Sequence, residues 1–392
     1  MTPKRILFVA EELTVNGATM SLLALLNSLP RDKYNVSLFV LSHGGSMMDR
    51  IPRHVTVLPE RLCYFVHRLP LRVALRKAFV SGRFDLALYR LLVSFQRAFK
   101  LNYYLWPFLS EIKEDYDVVC SYEDGFTVPM IVKKVKKGKK CSWIHIPYSH
   151  WPQLPYVLQA FDHVDVCVPV SEYVGKDLVC TIGHKSAPHY VVHNIIDADI
   201  CKERAKEICE YPKKDSIMRI ASVGRITSAK GFDIIPEIAK KIEQKGIDFE
   251  WIIIGDGGGR QRLQQEANEK CSPNRVIFAG SLPNPMPLVK SADVVVQPST
   301  YESWGMMVSE ALCLGKAVVA SNIPAFKEQI QDGENGLLRE YNPSIMADAI
   351  ADVLTSNELR QKLESNAGKY PFTKSFVLKE FDNLMDHLLK EL

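Results

Sequence analysis

The chain has no Cys-x-x-Cys pair, and its nine cysteines are scattered and odd in number. That spacing offers no zinc-ligand set and no even disulfide framework, so a reducing cytosol is the expected compartment. No apolar run reaches the roughly 18 residues that a membrane-spanning helix requires. A secretory leader is not expected either, because the short apolar stretch RILFVA runs straight into Glu11 and Glu12. Charge of one sign is also missing at the level of the whole chain, where the net value is only +4. Apolar and charged fractions of 47% and 24% are those of an ordinary globular protein, which sets aside disordered and fibrous classes.

What is present is a long chain with α/β rhythm. Its 392 residues exceed a single usual core, so two domains of roughly 150 to 200 residues each are expected. Strand-like runs at Arg5 to Ala10, Val36 to Leu41, Val55 to Leu58, Asp117 to Cys120, Cys141 to Ile146 and Val164 to Val170 mark the first half. Ser171 is placed to cap the next helix, and HYVVHNIID is expected to complete the first sheet. The charged, low-apolar stretch Lys202 to Asp215 supports a boundary near residue 200, with a hinge at Asn194 to Asp199. In the second half, Ile217 to Val223, Glu250 to Ile254, Val276 to Ala279, Asp293 to Gln297 and Ala317 to Ala320 alternate with helical stretches, as a parallel α/β layer requires. The predicted divisions are 1–198, 199–370 and a terminal amphipathic helix over 371–392.

The stretch QPSTYESWGMMVSEALCLGK, Gln297 to Lys316, concentrates the chemistry. It reads as a strand end, a turn from Pro298 to Gly305 and a helix from Met306, with Glu302 in the turn and Glu310 on the helix. Amides of a first helical turn lack intrahelical partners and favour an anion, and carboxylates beside them can take sugar hydroxyls. Two solvated helix-end carboxylates are the competing reading. In GRITSAKG, Arg225 and Lys230 lie five apart across a turn after a strand, a pair able to clamp a diphosphate with one fork and one point charge. GDGGG, Gly255 to Gly259, lacks the spacing of a dinucleotide fingerprint and reads as a turn at the floor of a nucleotide site.

Four pieces in this order, SVGRITSAKGFD, WIIIGDGGGRQRL, VIFAGSLPNPMPLVKSADVVVQPSTYESWGMMVSEALCLGKAVVAS and EQIQDGENGLL, resemble the retaining nucleotide-sugar glycosyltransferases of family 4. The resemblance is dense from Val223 to Leu338 and patchy in the first half. It implies the α/β GT-B fold, two Rossmann-like domains facing across a cleft, with the terminal helix crossing back to the first domain. It implies an acceptor-binding first domain and a donor-binding second one. The implied reaction is metal-independent transfer of a hexosyl unit, with retention, from a nucleoside diphosphate sugar, a UDP-sugar above others. The acceptor would be a glycan or lipid-linked molecule of cell-surface polysaccharide or lipopolysaccharide synthesis.

The resemblance also distributes roles. Arg225 and Lys230 are expected to stabilise the leaving diphosphate, Glu302 to hold the hexose hydroxyls and Glu310 those of the ribose. Amides of Ser303, Trp304, Gly305, Met306 and Met307 are expected at the sugar and phosphate, Gly224 and Gly255 at the nucleotide, and Gly280, Ser281 and Leu282 in the base pocket. Gly17 and Ala18, in the loop after the first strand, are expected beside the donor phosphates and acceptor; a plain βα turn is the alternative. His145 is expected near the donor sugar as a relay or donor with a pKa near neutrality. A structural role for it, or His150 in its place, is the alternative. No cofactor and no metal are implied; the sequence is read as lacking an Asp-x-Asp motif, so that cations and helix amides are expected to neutralise the leaving diphosphate.

One further segment stands out. From Arg61 to Lys100 there are nine basic residues (Arg61, Arg68, Arg72, Arg76, Lys77, Arg83, Arg90, Arg97, Lys100) against Asp85 alone, interleaved with apolar side chains. KKVKKGKK, Lys133 to Lys140, adds six lysines. A helical, basic and apolar segment suits an anionic membrane surface, which would place the protein on the inner face of the cytoplasmic membrane; a core with a solvated basic face is the competing reading. Nucleic acid is not expected, because the aromatics sit among aliphatics rather than on a polar stacking platform. A nucleotide-sugar epimerase or hydrolase, and a non-catalytic nucleotide-sugar binder, are the alternative functions.

Overall fold

Strands buried on both faces need apolar side chains at every position, and the chain supplies them. In β1 (Lys4–Glu12), Ile6, Phe8 and Ala10 enter one core while Leu7 and Val9 enter another on the opposite face. The computed structural model describes residues 2–98, 105–151, 155–182, 187–209, 211–213 and 216–390. The chain divides into one unit of residues 1–195 with 377–392 and a second of 196–376.

The first unit holds β1, β2 (Tyr34–Ser42), β3 (Thr56–Val57), β4 (Val118–Ser121), β5 (Lys139–Ile144) and β6 (Val166–Pro169). They form one parallel sheet in the order β3-β2-β1-β4-β5-β6. The second holds β7 (Met218–Val223), β8 (Phe249–Ile254), β9 (Val276–Gly280), β10 (Val294–Gln297), β11 (Val318–Ser321) and β12 (Leu337–Arg339), all parallel, in the order β12-β11-β10-β7-β8-β9. Both orders describe the same doubly wound path: outward from a central strand, then back to its other side. That reversal leaves a crevice between β1 and β4 in one sheet and between β7 and β10 in the other, where ligands of open α/β sheets bind.

The helix Lys374–Leu389 follows, and its Val377, Phe381, Leu384 and Leu388 pack into the first unit's core with Phe8 and Trp143. Its polar face is fixed as well: Asp382 accepts from Lys33 Nζ and Tyr34 Oη at 2.7 Å each, and Glu380 lies 2.8 Å from His193 Nδ1.

HYVVHNIID does not form a strand. It makes one isolated bridge, His189 to Cys167, with further bonds from Tyr190 N to Cys167 O and from Val192 N to Pro169 O. Pro188 can lend a carbonyl to that edge but no amide. Ser171 does cap its helix, Glu172–Ile182, accepting from Val174 N at 3.1 Å.

The basic segment is helical, as its pattern requires: α2 spans Leu62–Arg68, α3 Leu71–Val80 and α4 Phe84–Ala98, after α1 at Gly17–Ser28. Lys100 and the side chain of Arg97 lie outside the described residues. Among the described residues no helix is long and apolar enough to cross a membrane.

Candidate functional site

In the second unit, the crevice between β7 and β10 is bordered by the loops 224–231 and 298–305. Thr300 N donates to Ala229 O at 3.0 Å, tying the two together. They also meet where a side chain would not fit. A Cβ on Gly231 would lie 1.8 Å from Pro298 O, and one on Gly255, at the end of β8, 2.0 Å from Gly224 O. Gly231, and Gly255 of those expected at the nucleotide, therefore serve first to let three neighbouring loops touch. Gly280 closes the row, its carbonyl accepting from Gly255 N at 2.8 Å.

Within this edge Glu302 accepts from Lys230 Nζ at 2.5 Å and from Ser299 Oγ at 2.9 Å. Ser299 in turn accepts from Gln297 Nε2 at 3.2 Å. The two residues assigned separately to sugar and diphosphate are thus one ion pair, with Glu302 12% and Lys230 28% exposed. Arg225, by contrast, is exposed, and its side chain has no partner among the described residues. It is the uncompensated cation of the edge.

The helix after the turn spans Met306–Cys313 and starts from Gly305, whose φ of 87° is left-handed. Ser303, Met306 and Met307 are half-buried at this start. Trp304 is different: its ring is buried in the core against Phe372, at 4.9 Å between centroids, so only its backbone can face a ligand. Glu310 sits on the second turn, and burial raises its pKa to about 7 against the opposing charge of Arg204. Ser281 is exposed, and Leu282 lines a shallow cavity with Cys209, Pro283 and Leu288.

Gly17, Ala18 and His145 belong to the first unit. Gly17 and Ala18, expected in the loop after the first strand, instead open α1, because Asn16 caps it by accepting from Thr19 N at 2.8 Å. His145 follows β5; its amide donates to Asp124 Oδ2 at 2.9 Å and its ring lies 5.1 Å from Tyr122. Burial lowers its pKa to about 4, and Nε2 is buried without a hydrogen-bond partner among the described residues. The expected relay near neutrality is therefore corrected: at pH 7 this imidazole is neutral and can only hydrogen-bond. His150 is exposed in the following turn.

Sequence reasoning passed over the acids at the β1/β4 crevice. Glu11 N donates to Glu123 Oε2 at 2.5 Å, Tyr148 Oη donates to Asp124 Oδ1 at 3.1 Å, and Arg68 from α2 pairs with both Glu11 and Glu12. Desolvation by burial raises Glu123 and Asp124 to about 7 and Glu11 in the same direction. The available signal was SYEDG, two acids directly after an apolar strand that pairs with the first.

The expected lack of an Asp-x-Asp motif is corrected: two such triplets occur, Asp115-Tyr116-Asp117 and Asp197-Ala198-Asp199. Three of their four carboxylates are engaged, Asp115 with Lys137 at 2.8 Å, Asp117 with Arg5 N at 2.7 Å, and Asp197 with Lys374 at 3.1 Å and the amides of Asp199 and Ile200, while Asp199 is exposed. No group of three or more His, Cys, Asp or Glu is placed to hold a metal among the described residues.

Residues 15–200 match the family described as Glycosyltransferase Family 4 and residues 203–370 that described as Glycosyl transferases group 1. Alpha-D-kanosaminyltransferase of Streptomyces kanamyceticus is 29% identical over 48% of this chain and 49% of its own. The O-antigen biosynthesis glycosyltransferase WclY of Escherichia coli is 29% identical over 53% of this chain and 58% of its own. The chain thus spans about half the length of the curated relatives it matches. Among solved structures, Anabaena HepE in complex with UDP superposes with a TM-score of 0.69 at 16% identity, over 98% of this chain and 100% of its own. Each half of the chain is thus similar to a different glycosyltransferase family model, and the whole has the GT-B fold of its structural neighbours.

Proposed function

We propose that the chain is a glycosyltransferase that moves a hexosyl unit, with retention and without a metal, from a nucleoside diphosphate sugar to a glycan or lipid-linked acceptor. A UDP-sugar is the donor favoured, and cell-surface polysaccharide or lipopolysaccharide assembly the setting. The observation that carries this reading is the β7/β10 crevice, where Lys230 and Glu302 pair at 2.5 Å and Arg225 stands exposed on the same loop as Lys230, ahead of the helix Met306–Cys313. The relatives' names and the UDP held by a structural neighbour support it.

Departure of the nucleoside diphosphate places its largest electrostatic demand on the leaving oxygens. Arg225, uncompensated, offers them a fork; Lys230 adds a point charge once it turns from Glu302. Glu302 is then left facing the hexose hydroxyls, and Glu310 accepts from the ribose. The first unit takes the acceptor. Nine free thiols accord with a cytoplasmic reaction.

The test is a thermal-shift panel of UDP-, GDP- and ADP-sugars, followed by transfer assays with a glycan and lipid extract. One nucleotide sugar should stabilise the protein, by about 2.7 kcal/mol at 100 times its dissociation constant. It should then be consumed only when acceptor is present. Consumption without acceptor would indicate a hydrolase or epimerase, and binding without turnover a non-catalytic binder.

A further inference from the structure

The hairpin of α3 and α4 carries an exposed apolar surface. On α4, Leu86, Ala87, Tyr89 and Val93 face the core, held close to Ala74 and Ala78 of α3. On its other side Phe84, Leu88, Leu91 and Phe95 follow one another at intervals of four, three and four residues, which puts them in one stripe along the helix. All four are about half exposed or more: 65%, 51%, 49% and 52%. Val73, Phe79 and Val80 on α3 are exposed as well, and Phe79 meets Phe84 edge-on at 5.6 Å beside the connecting turn. Seven of the fifteen exposed large apolar residues among the described ones therefore lie within this hairpin.

The charges of the segment are sorted by the fold. Arg90 is buried and donates to Leu69 O at 2.7 Å, Arg61 and Arg68 pair with Glu114 and with Glu11 and Glu12, and Arg83 pairs with Asp85 at 2.6 Å. Those basic residues are not available to a partner. Arg72, Arg76 and Lys77 remain: all three are exposed on α3 and have no carboxylate partner among the described residues. Of the lysines at 133–140, Lys136, Lys137 and Lys139 are paired with Glu111, Asp115 and Asp165, Lys134 is buried, and Lys140 donates to Gly138 O at 3.4 Å; Lys133 alone is exposed without a carboxylate partner among the described residues, and it lies on another helix, Thr127–Lys134.

We infer that the α3–α4 hairpin is a docking surface for an anionic lipid bilayer, the apolar stripe entering the acyl boundary and Arg72, Arg76 and Lys77 meeting the headgroups. Aromatic and aliphatic side chains beside uncompensated cations are the complement of that surface. A second copy of the chain fits poorly, since it would bring the same three cations against these. The inference does not depend on the sugar chemistry, because bilayer binding is read without donor or acceptor.

The full chain is sedimented with phosphatidylcholine vesicles, with and without phosphatidylglycerol. The wild type should bind only the anionic vesicles, and lose them as salt rises to about 1 M, where the Debye length falls to about 3 Å. Two variants on exposed positions, R72E/R76E/K77E and F84S/L88S/L91S/F95S, should each reduce partitioning at least roughly tenfold while keeping the wild-type unfolding temperature. K136E/K137E/K139E should bind like wild type. The inference is overturned if the wild type ignores anionic vesicles, if either hairpin variant binds unchanged, or if the wild type is a dimer that the serine variant separates.

Discussion

The two sheets share one path and differ in what stands at the reversal. At the β7/β10 crevice the loops carry Arg225 and Lys230, with Glu302 already neutralised by Lys230 at 2.5 Å. At the β1/β4 crevice stand Glu11, Glu12, Glu123 and Asp124, with Arg68 as the paired cation. Topology chooses where a ligand can sit, and the side chains choose its charge. One edge suits an anion; the other repels phosphate and offers carboxyl groups, two of them held near neutrality, to hydroxyls.

The comparison breaks most visibly if the cations of the second unit are removed. Arg225→Ala and Lys230→Ala should each lower the rate of transfer by roughly a hundredfold or more, since deleting one donor from developing charge costs about 3 kcal/mol. Rates within threefold of wild type for both would remove the diphosphate assignment.

The two glutamates of that unit should separate kinetically. Glu302→Gln should lower kcat roughly tenfold with little change in KM, while Glu310→Ala should raise KM by a similar factor. Ribose contacts are present before and during reaction, whereas contacts to the reacting sugar strengthen in the transition state. Free UDP binding both variants like wild type would sink the Glu310 role.

Glu310 also gives nucleotide binding a pH dependence. With a pKa near 7 in the free protein, the carboxylate that should accept from ribose is about one-tenth ionised at pH 6 and almost fully at pH 8. UDP affinity should therefore tighten roughly tenfold across that interval, and the Glu310→Gln variant should show a flat profile by calorimetry.

The acidic edge should register in stability rather than in nucleotide binding. Because Glu123 and Asp124 hold their protons up to about pH 7 in the fold and release them near pH 4 when unfolded, the folded state binds more protons between those values. Stability should fall as pH rises through that window, by about 1 kcal/mol or more for each group, and Glu123→Gln with Asp124→Asn should flatten the curve. A wild-type profile as flat as the double variant's would show that these groups titrate normally. The smallest effect is expected from chelation: EDTA should leave transfer within twofold, and recovery only on adding magnesium or manganese would place a metal in the reaction.

Much of the donor-side architecture was legible because it is written locally. β7, β8, β9 and β10 are apolar runs that end at Gly224, Gly255, Gly280 and Pro298, and such punctuation marks strand ends without knowledge of the fold. β12 was missed because three residues, two of them half-buried, leave no period to read. The pairing of Lys230 with Glu302 joins positions 72 apart, and nothing in either neighbourhood announces it. His145 looked titratable because burial is not a property of sequence, and Arg90 looked like surface for the same reason. SYEDG reads as an ordinary solvated turn until β4 is seen to lie beside β1.

The loop contacts at the second crevice bear on how this edge could be re-engineered. Gly231 and Gly255 face the carbonyls of Pro298 and Gly224 at distances no Cβ can share. A combinatorial library randomised at those positions should return glycine almost uniformly among folded members. Gly258 has nothing within 4 Å of its would-be Cβ and should return every residue type. Under the proposed function, a change of donor specificity is expected through additions at Gly258, Ser281 and Leu282, around a backbone lattice that itself admits none.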